Sequence, residues 1–221
     1  MASLPPETSA LAPNAIRHAS ADLGVSLSDG QSDRLTAFAA LLVKWNRVHN
    51  LTAVESPADI LTHHLLDSLS IVPELARIGP GRGQRILDVG AGGGLPGVPV
   101  AVALPDSHVT LIDRVQKKTA FLQQVFLELA LSNVAVVHGR VEEFRAPPFD
   151  VIVSRAFAAL AAMVRMTSHL IAPTGYWAAM KGVYPAEEIN ALPSTVELAR
   201  AVKLRVPLLG GERHLVILRP R

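Results

Sequence analysis

The chain has 221 residues, 49% hydrophobic and 18% charged, which is enough apolar material for a self-supporting core and too much for a disordered chain. It contains no cysteine, which excludes disulfides, thiolate metal sites, iron–sulfur clusters and thiol nucleophiles. Twenty-one Lys plus Arg against nineteen Asp plus Glu leave a formal net charge of +2, too small for bulk charge to point to nucleic acid.

Residues 1–14 are rich in Pro, Ser, Ala and Thr and are expected to form a frayed tail. They lack the basic start and apolar run of a secretory signal. No stretch offers the roughly twenty uncharged residues a membrane span needs. Leu95 to Leu104 is interrupted by Pro96 and Pro99, and Val151 to Ala172 carries Arg155, Arg165 and His169. A soluble, cytoplasmic protein is the expectation. From Asp29 to His49, Leu35, Phe38, Leu41, Leu42 and Trp45 recur at three- and four-residue steps, which predicts an amphipathic helix. A second helix is predicted from Ser56, with Pro57 in its first turn, to Ile71, with Pro73 as its stop.

The Gly-Pro-Gly-Arg-Gly run at 79–83 ends this helical front third, and short apolar runs follow. Arg85–Val89, Val109–Ile112, Val134–Val137 and Val151–Ser154 show no polar alternation and read as strands buried on both faces. Helical patterns lie between them at Leu95–Leu104 and Val115–Ala130. This rhythm predicts a parallel sheet with helices on both sides. Near the end, Val202, Leu204, Val206 and Leu208 alternate with Lys203 and Arg205 before Gly210-Gly211 and the run Leu215–Leu218, the pattern of an antiparallel hairpin closing the sheet. The expected division is a tail over 1–14, a helical extension over 15–80 and an α/β domain over 81–221.

The strongest local signal is the run Ile86 to Gly97, a buried strand ending in a turn with five glycines that opens a helix. Such a turn lets backbone N–H groups approach a nucleotide-like ligand at a helix start. Gly92 to Gly97 satisfies GxGxxG, and Asp113 follows about twenty residues on, as a dinucleotide site requires. Two features favour S-adenosylmethionine over NAD. Asp88 lies at the strand end, where a buried carboxylate can orient the turn or meet a cationic ligand. The terminal antiparallel pair is not required by a plain dinucleotide fold. Asp113, ending the second strand, suits the two hydroxyls of a ribose.

The run Leu87 to Gly97 resembles the cofactor motif of the small-subunit ribosomal RNA methyltransferase G family, also called glucose-inhibited division protein B. Further matches are Lys44-Trp45-Asn46 with Asn50-Leu51-Thr52, His64-Leu65-Leu66-Asp67-Ser68, Arg140-Val141-Glu142-Glu143-Phe144, Ser154-Arg155-Ala156-Phe157-Ala158, Met180-Lys181-Gly182 and Gly211-Glu212-Arg213-His214-Leu215. The resemblance implies a class I, Rossmann-like methyltransferase fold of seven mostly parallel strands, with 81–221 as the methyltransferase domain. It implies methyl transfer from S-adenosylmethionine to N7 of a guanine in the decoding-region loop of 16S rRNA. The implied partner is 16S rRNA or the small ribosomal subunit, with no metal and no membrane, and a monomer is expected. The residues it implies around the cofactor are Gly90, Leu95, Val141, Glu142 and Arg155, joined by Gly92 and by Asp113. No catalytic nucleophile or proton-transfer residue is expected.

Simpler roles compete for the same residues. Asp113 suits an N-cap, Glu142 and Glu143 suit a solvated surface, and Arg155 suits an ion pair with a carboxylate such as Asp150. His63, His64 and Asp67 have helical metal-ligand spacing but no further ligand nearby. Leu35, Phe38, Leu42 and Trp45 suit a seam packing the front helices onto the sheet. From Arg200 to Arg221 there are six Lys or Arg against one acid, and Arg114, Lys117 and Lys118 crowd a helix start. These cations, with Lys181 and Arg213, are expected to meet rRNA phosphates. The competing activities are an NAD-dependent oxidoreductase and a non-catalytic RNA-binding ribosome-assembly factor.

Overall fold

The computed structural model describes residues 10–221, so residues 1–9 of the expected tail lie outside the described residues. The rest of that tail is anchored. Ala10 is buried, the Leu11 carbonyl accepts from Thr36 Oγ1 at 2.8 Å, and helix α1 spans Pro13–Ala21 with Pro13 at its first turn. The Pro-, Ser- and Ala-rich composition that suggested fraying instead supplies a proline helix start and small residues for close packing.

Helix α2 spans Asp29–His49, as its periodicity predicts. Ser28 Oγ accepts from the Gln31 N–H while Gln31 Oε1 accepts from the Ser28 N–H, a reciprocal cap. Asn50 closes the helix in the left-handed region at φ 48°. Ser56 caps α3 (Pro57–Asp59), which continues through a π-helical stretch, Ile60–Leu66, into α4 (Asp67–Leu69). Pro73 does not end this run. It sits in the first turn of a further helix, α5 (Val72–Ile78), where its missing N–H costs nothing.

The strands are β1 (Arg85–Val89), β2 (His108–Asp113), β3 (Val134–His138), β4 (Phe149–Arg155), β5 (Ile171–Lys181), β6 (Val196–Leu204) and β7 (Arg213–Pro220). They form one sheet in the order β3-β2-β1-β4-β5-β7-β6, with β1 to β5 parallel and β7 antiparallel to both β5 and β6. The order reverses between β1 and β4, where an open parallel sheet forms its ligand crevice. Strand β5 escapes the sequence pattern. Its first half carries Pro173 and Gly175, and its buried half, Trp177-Ala178-Ala179-Met180, is as compatible with a helix as with a strand.

Alternate residues of the central strands feed two cores. Ile86, Val109, Leu111, Val151 and Val153 join one with α1, α2, the π-helical stretch, α4, α5, α6 (Gly97–Ala103) and α7 (Gln116–Glu128). Leu87, Val89, Ile112 and Ile152 join the other with α8 (Leu160–Thr167) and Trp177. The last helix, α9 (Ala186–Asn190), follows β5. The seam expected to meet the sheet meets α6, α7 and the glycine turn instead. Phe38 lies 6.4 Å from Phe121 between ring centroids, and Trp45 lies 5.6 Å from the same ring. Thus α2 backs the turn rather than the strands. Among the described residues, no helix is long and apolar enough to cross a membrane.

Candidate active site

The turn after β1 forms because its glycines go where side chains cannot. Gly94, at φ +81°, would place a Cβ 2.7 Å from Val98 Cγ2 and 3.0 Å from Leu122 Cδ2. Gly97 would place one 2.2 Å from Leu111 Cδ2 and 2.6 Å from Asp88 Oδ2. This closeness lets α6 start directly against β1 and β2. Asp88 is fully buried, with Oδ2 accepting from the Gly97 N–H at 2.8 Å and Oδ1 without a partner. Burial pushes its pKa up to about 7.

Asp113 closes the crevice floor. Its Oδ2 accepts from the Gly92 N–H at 2.9 Å and its Oδ1 from the Val115 N–H at 2.8 Å. The expected helix cap does not form, because Val115 is the N-cap of α7 and the Asp113 side chain closes a turn before it instead. Each oxygen keeps lone pairs free for a further donor, and the carboxylate lines a cavity of about 440 Å³. That cavity is walled by Gly90, Val141, Glu142, Phe157 and Met166, with Arg114, Lys118 and Arg140 around it. Val141 is buried and offers an apolar face. Glu142 pairs with Arg140 at 3.1 Å, and a hydrogen bond from its own backbone N–H, with help from Arg140, holds its carboxyl below the usual range.

A second cavity of about 560 Å³ shares Gly90, Lys118 and Ala156 with the first and extends past the glycine turn. Gly92, Leu95, Arg155, Met180, Lys181, Arg213 and Asp67 line it. The seven residues expected around a cofactor are therefore brought together but divided. Asp113, Val141 and Glu142 face the first cavity, Gly92, Leu95 and Arg155 face the second, and Gly90 joins them. Arg155 is indeed ion-paired, though with Asp67 at 3.1 Å and not with Asp150, which accepts from the Arg85 N–H. Ala156, next to it, sits at φ 51°, a strained conformation at the mouth of both cavities.

The remaining sequence candidates have other partners. His64 is buried with Nε2 2.8 Å from Thr52 Oγ1, and burial together with the Arg155 charge lowers its pKa to about 4. Asp67 is taken up by Arg155 and by Arg213. The C-terminal cations are mostly ion-paired: Arg200 meets Glu74 and Arg219 and Arg221 share Glu197, acids from outside the segment, while Lys203 meets the segment's own Glu212. Lys181 is held by Glu188, whose carboxyl is pushed up by burial but drawn down further by Lys181 and the Leu160 N–H. Lys117 donates to the His49 carbonyl, capping the C-terminus of α2. Sequence reasoning weighed Asp67 only as a metal-ligand candidate and Lys118 only as a cation for rRNA phosphates, and placed neither in the cavities they line. The signal for Asp67 was the His64-to-Ser68 segment, one of the stretches that carried the resemblance.

The family model for rRNA small subunit methyltransferase G matches residues 31–216. The chain is 52% identical over 197 residues to the ribosomal RNA small subunit methyltransferase G of Laribacter hongkongensis, covering 89% of this chain and 92% of the relative. It is 50% identical over 206 residues to the protein of the same name from Neisseria meningitidis serogroup A, covering 93% and 97%. Among solved structures, a SAM dependent methyltransferase from Aquifex aeolicus aligns with a TM-score of 0.52 at 16% identity, over 66% of this chain and 87% of that one, a likeness of fold. With relatives this similar along nearly their whole length, and a crevice at the strand-order reversal to match, the chain belongs to the rRNA small subunit methyltransferase G family.

Proposed function

We propose that the crevice binds S-adenosylmethionine and that the protein methylates N7 of a guanine in the decoding-region loop of 16S rRNA. The observation that carries this reading is Asp113. It is a carboxylate fixed by two backbone N–H groups at the floor of the first cavity, with acceptor capacity left over for a ribose diol. Val141 provides the apolar wall an adenine needs, and Gly90 lets the backbone come close. Gly92, Leu95 and Arg155 continue the wall toward the second cavity. Bound there, S-adenosylmethionine supplies an electrophilic methyl on a sulfonium.

Guanine N7 presents an in-plane lone pair and no proton, so no side chain has to act as a base. What the chain supplies is orientation and the exclusion of water. The second cavity, open beside the glycine turn, is the place for the base, which must be unstacked to enter it. Labelled S-adenosylmethionine incubated with undermethylated small subunits, followed by mapping of the modified position, tests the reading directly. Methyl transfer to a single N7 guanine in the decoding region is expected, and label elsewhere would refute the site. Titration with S-adenosylhomocysteine and with NAD separates the dinucleotide alternative, for which no binding is expected.

A further inference from the structure

We infer that Asp67 is a positioning residue that holds Arg155 and Arg213 together as an oxyanion site for a phosphodiester of the rRNA substrate. Asp67 belongs to α4 and its side chain is 3% exposed. Its Oδ2 accepts from Arg155 Nη1 at 3.1 Å and its Oδ1 from Arg213 Nε at 2.9 Å. The two arginines come from opposite directions, one at the end of β4 and the other at the start of β7. Backbone carbonyls complete their anchoring: His63 accepts from Arg155 Nη1 and Glu212 from Arg213 Nη1, both at 2.8 Å.

One carboxylate cannot neutralise two guanidinium groups. Both side chains are about one quarter exposed, at 23% and 25%, and both line the second cavity. Arg155 Nη2 and Arg213 Nη2 have no hydrogen-bond partner among the described residues. Lys118 lines the same cavity and forms no ion pair among the described residues, whereas Lys181 is already paired with Glu188. The wall therefore carries uncompensated positive charge in a half-enclosed space, with rigidly aimed donors. That is the environment in which an arginine fork takes a phosphate oxygen. Neither arginine lines the cavity that holds Asp113, so both stand apart from the proposed ribose and adenine end of the donor and beside the cavity proposed for the base. The α-carboxylate of the methyl donor has the same chemistry, and the test separates the two sources.

The inference rests on the proposed substrate, so the experiment keeps the two apart. Binding of the full chain to undermethylated small-subunit rRNA is measured across a salt series for the parent protein, Arg155→Gln, Arg213→Gln and Asp67→Asn. S-adenosylhomocysteine affinity is measured by calorimetry for the parent, Arg155→Gln, Arg213→Gln and Asp67→Asn. Each arginine substitution is expected to weaken rRNA binding and to reduce the log–log salt slope by about 0.7 to 0.9, one phosphate's share. S-adenosylhomocysteine affinity is expected to hold in Arg213→Gln. Asp67→Asn retains both cations and is expected to keep the slope, raise KM for rRNA more than it lowers kcat, and be partly rescued by Asp67→Glu. A purely structural Asp67 would lower S-adenosylhomocysteine affinity along with rRNA affinity. Unchanged slopes in both glutamine variants overturn the inference, as does loss of S-adenosylhomocysteine affinity with the slope intact. Where a glutamine variant fails to fold, Arg213→Lys, which keeps charge without the fork, must bind rRNA more weakly at the parent slope, and parent affinity refutes it. Methyl transfer by the parent protein is scored separately, and its absence refutes the proposed function rather than the arginine pair.

Discussion

Asp88→Asn is expected to stabilise the protein at neutral and alkaline pH and to make less difference in acid. Asp88 is wholly buried, has a single hydrogen bond from the Gly97 N–H, and leaves Oδ1 without a partner. Its pKa stands at about 7 in the folded chain against 3.8 for an unperturbed aspartate, so folding favours the protonated form. Below about pH 4 both states are protonated and the group is neutral to stability. Between about 4 and 7 the unfolded chain releases its proton first, and stability falls as pH rises. Above about 7 the full penalty is present, roughly 4 kcal/mol at about 1.36 kcal/mol for each pH unit between the two values. Asparagine keeps an acceptor for Gly97 and cannot ionise. Its amide hydrogens lack a partner, a constant cost of about 1 to 3 kcal/mol that offsets the curve without bending it. Urea unfolding of both proteins from about pH 4 to pH 8 tests this, and the stability difference should grow with pH through the window. A difference that stays flat across the range would refute the claim that Asp88 is buried with this little compensation.

His64 provides a test in the opposite direction. Its pKa is lowered to about 4, so its contribution is full above about 6.5 and is lost as pH falls toward 4, by roughly 3 kcal/mol. His64→Gln should flatten the acid limb of a stability–pH curve. Gly97→Ala forces a methyl into Leu111 and Asp88 and should cost about 1 to 3 kcal/mol or more in thermal unfolding. Asp113→Ala removes the acceptor of the Gly92 and Val115 N–H groups, and calorimetry should show S-adenosylhomocysteine affinity reduced at least about tenfold, about 1.4 kcal/mol. Gly90→Ala places a Cβ 2.6 Å from Phe157 Cδ2 at a φ of +70°, and should reduce donor binding and lower the melting temperature together.

Much of the fold is legible in the chain because it is written in local terms. The boundaries of α2 follow from the Ser28 and Gln31 cap and from a 3.6-residue apolar period. The central strands follow from unbroken Val, Ile and Leu runs, since a strand buried on both faces cannot alternate. The glycine turn is legible in five glycines between a buried strand and a helix start, although the remote side chains that crowd it, Phe38, Leu111 and Leu122, are not. The places where local reading fails have equally physical causes. Pro73 is compatible with either end of a helix, and only the chain direction after Ile71 makes it a start. Strand β5 is recruited by pairing with β4 and β7, partners remote in sequence, which override a weak local preference.

The site divides along the same line. The sequence by itself determined the glycine turn, the acid that ends β2 and the family to which these motifs point, because those residues act on neighbours a few positions away or at a fixed strand-to-strand offset. Only the tertiary structure decided that Asp67 meets Arg155 and Arg213, and that Arg200, Lys203, Arg219 and Arg221 are paired. Charge along a chain says how many cations exist. Which of them stay free for a ligand depends on carboxylates delivered from far along the sequence, Asp67 to Arg213 and Glu74 to Arg200, and that pairing exists only once the helices have closed over the sheet.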